Sequence, residues 1–154
     1  MQTTHPLPTS PPPQESPSPV PPSATARERS WVPVRSLTSR HRDRLREHLL
    51  ALDEHDRYLR FGFSATDTQI VHYTDTLDFD RDEVFGIFNR RLELIAMAHL
   101  AYAPAPQIKG QAAMAEFGVS VSKHARGRGL GARLFDHAIL HARNRHISKL
   151  FIYA

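Results

Sequence analysis

The stretch His124–Leu134, HARGRGLGARL, sets Gly127, Gly129 and Gly131 among Arg126, Arg128 and Arg133. It follows the alternating run AEFGVSVS, residues 115–122, and precedes a segment whose apolar residues recur at helical spacing. A strand that enters a glycine turn and leaves it as a helix is a phosphate-binding device. Glycine permits positive φ and close approach, successive backbone N–H groups converge, and the helix dipole adds favourable potential. The turn thus bears on fold and ligand together.

Outward from the turn, the run 115–122 puts Phe117, Val119 and Val121 on one face and Glu116, Gly118, Ser120 and Ser122 on the other. Upstream, Val84–Phe88 and Leu94–Tyr102 read as strands joined by the polar turn Asn89, Arg90, Arg91, an antiparallel hairpin. Ala103–Ala113, with Pro104, Pro106 and Gly110, reads as a loop. Nearer the start, Trp31–Leu37 has the content of a short strand that Pro33 confines to an edge or a strand's beginning. Thr38 or Ser39 can cap a helix with the stripe Leu45, Leu49, Leu52. A second helix starts near Thr66, which has capping-box spacing to Gln69, and runs through Ile70, Tyr73 and Leu77. After the turn, Leu130, Leu134, Ala138 and Ala142 line one helical stripe with Phe135 and Ile139 beside it, and KLFIYA closes the chain as a strand. His146 stands at the helix end, where a left-handed glycine would be easier to accommodate. The predicted order is strand, two helices, three antiparallel strands, helix, strand: an α/β domain without internal repeats.

Composition bounds the rest. At 154 residues there is room for one domain, expected over 27–154. Residues 1–26 form a Pro/Ser-rich tail: the first 24 hold nine prolines, seven serines or threonines and almost nothing apolar, too little to offset ordering entropy, so disorder is expected. No basic start with an apolar run suggests a signal peptide, and no stretch is long enough for a membrane helix. Zero cysteines exclude disulfides and thiolate metal sites, as expected in the cytoplasm. Twenty Lys and Arg against sixteen acids give a formal charge of +4, which favours anionic partners in general. The arginines of RHRDRLREHLLALDEHDRYLR alternate with acids, which reads as a solvated face rather than a nucleic-acid patch, and no aromatic residues interleave a basic stripe.

Three phosphate devices compete for the turn. The Walker loop needs Lys and a hydroxyl residue after its last glycine, but Ala132 and Arg133 follow Gly131. The dinucleotide fingerprint is formally matched by Gly127, Gly129 and Ala132; it wants an opening strand before it and an acid about twenty residues on, yet the strand is the fourth and no acid follows Asp136. The third is the pyrophosphate loop of GCN5-related N-acetyltransferases, [QR]xxGx[GA], met by Arg126, Gly129 and Gly131. RGRGLGARL, the preceding strand of the AEFGVSV type and the order of elements resemble that family over residues 31–154. HDRYLRF, LDFDRDE and AEFGVSVSKHARGRGLG are most similar to the acetyltransferase domain of bacterial protein lysine acetyltransferases.

The resemblance implies a mixed, mostly antiparallel sheet flanked by helices, with acetyl-CoA as co-substrate, a primary amine as acceptor and no metal. It implies Glu116 as general base, since a lysine-type amine of pKa about 10.4 is protonated at neutral pH and attacks only when neutral. Val119, Ser120 and Val121 would offer backbone groups to the pantetheine arm, an N–H near Val119 could polarise the thioester carbonyl, and the amides of Gly127, Arg128, Gly129, Leu130, Gly131 and Ala132 would hold the pyrophosphate, Arg126 and Arg128 adding charge. A complete domain of this fold continues with one more helix and two strands, so the resemblance also implies a chain shortened at its C-terminus, with no residue here assignable as the acid for the departing thiolate. A non-catalytic acyl-CoA-binding module is the alternative, and Glu116 separates the two. The His137/His141 pair has metal-ligand spacing but no HExxH glutamate, and reads as ordinary helix-surface histidines. His41, His48 and His55 recur every seven residues and read as a solvated helix face.

Overall fold

The computed structural model describes residues 6–14, 32–104 and 109–152. Residues 6–14 are exposed and hold no helix or strand; the rest of the expected tail, Trp31 and Tyr153 lie outside the described residues. In the body of the chain, β1 (Arg35–Ser36) leads through a 3₁₀ turn (Ser39–His41) into α1 (Arg42–Leu50), α2 (Glu54–Phe61) and α3 (Asp67–Thr76). Then come β2 (Glu83–Phe88), β3 (Leu94–Tyr102), β4 (Met114–Val121), α4 (Leu130–Asn144) and β5 (Lys149–Ile152). The five strands lie in chain order, antiparallel except that β5 runs parallel to β4.

The opening therefore has three helices where the sequence predicts two, and Leu52 lies beyond the first. The chain breaks because Asp53 turns its carboxylate onto the amide of Asp56 (2.9 Å), capping a new helix that Gly62 ends in the left-handed region (φ 82°). The other signals act as read: Thr66 and Gln69 form a reciprocal capping box (3.2 and 2.9 Å), and Pro33 precedes β1 rather than interrupting it. Asn89 Oδ1 accepts from the amides of Arg91 and Glu93 (2.9 Å each) and closes the β2–β3 hairpin.

Strand alternation divides the core. Ala98, Leu100, Tyr102, Ala115 and Phe117 face α4, whose stripe Leu130, Leu134, Ala138 and Ala142 is wholly buried. Val84 and Met97 face the opposite layer, with Leu45 and Leu49 of α1 and Ile70 of α3. His137 and His141 are not freely solvated: both pack on Phe85, and His141 Nδ1 lies 3.0 Å from Glu83.

His48 corrects the solvated-face reading of the heptad-spaced histidines. The break after α1 separates it from His55, and its side chain enters the core, 4% exposed. Nδ1 donates to the Leu94 carbonyl (2.9 Å) and Nε2 accepts from Ser120 Oγ (2.8 Å), the neutral tautomer. Burial lowers its pKa to about 4. Between about pH 6.5 and pH 4 the unfolded chain binds a proton here that the native state refuses, so stability is full above that window and falls as pH drops through it, by about 3 kcal/mol. Urea denaturation from pH 7 to pH 4 should show this loss, and His48→Gln should flatten the slope.

At the far end of α4, His146 takes the left-handed conformation (φ 56°), and the Ile147 amide reaches back to the Ala142 carbonyl (3.0 Å) in a Schellman closure. A side chain with Cβ is disfavoured there by about 1–2 kcal/mol. His146→Gly should raise the unfolding free energy by roughly 1 kcal/mol in denaturant titration.

Candidate active site

Two hollows adjoin along β4. The larger, about 400 Å³, lies where β4 runs into the glycine turn. Gly127 (φ 80°) and Gly129 (φ 73°) are left-handed, and a Cβ on either would meet no atom within 4 Å, so the turn presents an open backbone face. Gly129 caps α4, whose first internal bond runs from the Arg133 amide to the Gly129 carbonyl (3.1 Å). The amides of Leu130, Gly131 and Ala132 are left without a carbonyl one turn back. This is a fit for a diphosphate: amides without intrahelical partners, a helix dipole and open space where a Cβ on Gly127 or Gly129 would stand.

Val119, Ser120, Val121, Arg126, Gly127, Gly129, Leu130 and Gly131 line the cleft, faced by Leu52, His55, Asp56 and Leu59. Arg128 and Ala132, also expected there, are not among its lining residues. Ser120 shows the cleft its backbone, since its hydroxyl is spent on His48. β3 pairs with β4 as far as Val121, whereas the described pairing of β5 ends at Phe117–Ile152. The remaining edge of β4 borders the cleft.

An acid stands among these cationic groups. Asp56 of α2 is 2.5 Å from Arg126 Nη2, and Lys123 Nζ is 2.6 Å from Asp53. The Lys123 hydrogen bond, with the Asp56 amide, lowers the Asp53 pKa to about 2. Arg126 is thus pre-positioned at the cleft by α2.

The smaller hollow, about 220 Å³, is lined by Arg60, Phe61, Tyr73, His99, Ala101, Glu116 and Gly118. Glu116 is exposed, opposite Ala101 in the ladder, and has no ion pair among the described residues, so it is not a carboxylate tied to an arginine across the hairpin. Arg60 is 7% exposed, its guanidinium over the rings of Phe61 (4.8 Å) and Tyr73 (5.4 Å), with Nη2 donating to the Tyr73 hydroxyl (2.8 Å) and Nε without a partner. It lies flat on Gly118, where a Cβ would stand 2.5 Å from Nη1.

Arg60, Tyr73 and His99 are site-lining residues that sequence reasoning missed. Tyr73 was counted into an apolar stripe. His99, the one imidazole in the largely apolar run LIAMAHLAY, was the signal available.

The family model described as acetyltransferase (GNAT) family matches residues 42–154, and the chain belongs to that family, whose members transfer acyl groups from acyl-CoA. Its fold is that of the GNAT domain of S. lividans PAT (23% identity, 74% of this chain and 66% of that one, TM-score 0.58). It is also that of a transcriptional regulator from Bacillus halodurans C-125 (18%, 80% and 81%, TM-score 0.59). A ribosomal-protein-alanine N-acetyltransferase from Brucella melitensis biovar Abortus 2308 is similar too (21%, 80% of each chain, TM-score 0.55). The chain thus spans just under two thirds of the S. lividans chain. No curated protein matches. Among the described residues no helix is long and apolar enough to cross a membrane.

Because Arg60 occupies the space above Gly118, Gly118→Ala should push the guanidinium off the Tyr73 hydroxyl. A loss of about 1–3 kcal/mol in unfolding free energy is expected, with acetyl-CoA affinity, read by calorimetry, unchanged.

Proposed function

We propose that this chain acetylates a primary amine using acetyl-CoA, with the diphosphate against the glycine turn and the amine entering the pocket beside Glu116. The observation that supports this most is the adjacency of the two hollows on one strand: Val119 lines the cleft and Gly118, one residue earlier, lines the pocket. A cofactor arm along β4 from the cleft would then end at the pocket mouth. The backbone amides of Val119–Val121 suit the arm, and an N–H near Val119 suits a developing oxyanion.

Glu116 takes a proton from the incoming ammonium, and the neutral amine attacks the thioester carbonyl carbon. The C–N bond forms, the C–S bond breaks, and its electron pair leaves with sulfur. A lysine side chain, a peptide N-terminus and a small amine all meet these chemical requirements.

Acetyl-CoA at a hundredfold excess over its Kd should stabilise the chain by about 2.7 kcal/mol, seen as a raised Tm, with no shift from ATP or NAD. Glu116→Gln should lower turnover on the order of 10²- to 10⁴-fold and leave acetyl-CoA affinity unchanged. The acceptors to assay are a lysine peptide, a peptide with a free N-terminal alanine and a small diamine. Binding without turnover of any of them would make the chain an acyl-CoA-binding module, and stabilisation by ATP or NAD alone would overturn the cleft assignment.

A further inference from the structure

Between ammonium and amide the acceptor nitrogen gives up two protons, and Glu116 can hold one. The smaller hollow contains a second device. Arg60 Nη2 donates to the Tyr73 oxygen (2.8 Å), and a guanidinium has no acceptor to offer, so the tyrosine proton points elsewhere. The partner within hydrogen-bond reach is His99 Nδ1, 2.6 Å away, which can accept it. With Nδ1 accepting, the neutral ring carries its proton on Nε2, which is 2.8 Å from Asp82 Oδ2. With the neutral ring in this tautomer the bonds align in one direction: Arg60 to Tyr73, Tyr73 to His99, His99 to Asp82. Such a series of aligned bonds is the arrangement in which a hydroxyl at one end can take a proton while passing its own inward.

Four elements build it. Arg60 comes from α2, Tyr73 from α3, His99 from β3, and Asp82 from the segment before β2. The Asp82 side chain is fully buried, also receives both Arg81 (2.9 Å) and the Tyr102 amide (3.2 Å), and is held there as an anion. Burial alone would raise its pKa, but the bonds from His99 and Arg81 outweigh that and hold it well below the usual carboxylate range. Glu116 faces the same hollow from β4.

We propose that Tyr73 is a second proton acceptor of the acceptor pocket, with His99 and Asp82 acting through it and Arg60 polarising its oxygen. The inference rests on the acetyl-transfer reading above. Glu116 removes the first proton from the ammonium. As the C–N bond forms and the C–S bond breaks, the Tyr73 oxygen takes the second from nitrogen while its own proton moves to His99 Nδ1, leaving an imidazolium paired with Asp82. The departing thiolate takes a proton from water, and Glu116 and His99 return theirs to solvent, for one proton released overall.

The test uses the full chain and has two arms. In the first, ¹⁵N NMR of the imidazoles should show His99 protonated on Nε2 with Nδ1 a hydrogen-bond acceptor, and Tyr73→Phe should shift Nδ1 alone; a proton on Nδ1 overturns the proposal. In the second, Tyr73→Phe and His99→Gln are assayed with whichever of the three amines turns over fastest. Each should lose on the order of 10²-fold in kcat with KM for the amine and the calorimetric Kd for acetyl-CoA unchanged. In His99→Ala, added imidazoles should restore rate in proportion to their basicity, which a merely space-filling role would not produce. Wild-type kcat in Tyr73→Phe, or a loss confined to KM, overturns the proposal while acetyl transfer stands. A wild-type chain that binds acetyl-CoA and acetylates none of the amines overturns both.

Discussion

The register between β3 and β4 is the constraint from which the rest of the site follows. It runs unbroken from Ala96–Val121 to Tyr102–Ala115 and sets His99 opposite Gly118 and Ala101 opposite Glu116 on the face toward α2 and α3. Leu100–Phe117 and Ala98–Val119 go to the face toward α4. A slip of one residue would exchange the two sets, carrying Glu116 into the α4 core and Phe117 out of it. Each large apolar side chain buried contributes about 1.5–3 kcal/mol, and Leu100 and Phe117 are almost wholly enclosed. The register is therefore held by hydrophobic packing on both faces, by Leu100 and Phe117 toward α4 and by Met97 toward α1 and α3, and the pocket lies on the second face, where Phe61 and Tyr73 pack against that cluster.

On the pocket side, α2 adds buried charge beside the apolar cluster of Leu45, Leu49 and Ile70. The buried residues of α2 are Asp56 and Arg60, one turn apart, while Tyr58 and Leu59 between them are exposed. Bringing such groups out of water costs several kcal/mol apiece unless each is answered by a partner. Asp56 is answered by Arg126 of the turn, and Arg60 by the Tyr73 hydroxyl and two aromatic faces. The helix thus joins cleft and pocket: its first half fixes a cation beside the turn and its second half lays one on β4.

That also explains how much the sequence disclosed. The strands, the α4 stripe, the Thr66 capping box, the left-handed His146 and the glycine turn were legible because each rests on a local rule, a period of two or of 3.6 or a residue needed for a particular φ. Helix α2 was not, because hydrophobic periodicity locates buried faces by their apolar residues and this helix buries charge. Asp53 and Gly62 mark its ends, but a cap is persuasive only next to an apolar stripe. His48 was misjudged for the same reason, being polar and buried, its partners Leu94 and Ser120 supplied by strands far along the chain. Strand alternation puts Glu116 on the polar face and the family resemblance marks it there, whereas its neighbours Arg60, Tyr73 and His99 become a group only once three elements pack together.

The ion pairs at the cleft decide what kind of anion site it is. Lys123 and Arg126 are each engaged by an aspartate at the start of α2, so two of the cations nearest the turn are already neutralised and the formal +4 of the chain overstates what the cleft offers. What is left uncommitted is Arg128, exposed in the turn and without an ion pair among the described residues, and the backbone: the first amides of α4 and the dipole behind them. Dipoles of this kind act only over the first turn of the helix, and they favour a compact anion seated on the glycines over a long polyanion tracking a basic surface, which would draw on side-chain charge. Of the polyanions that a glycine turn among arginines could serve, a diphosphate is the one in keeping with the cleft reading proposed above.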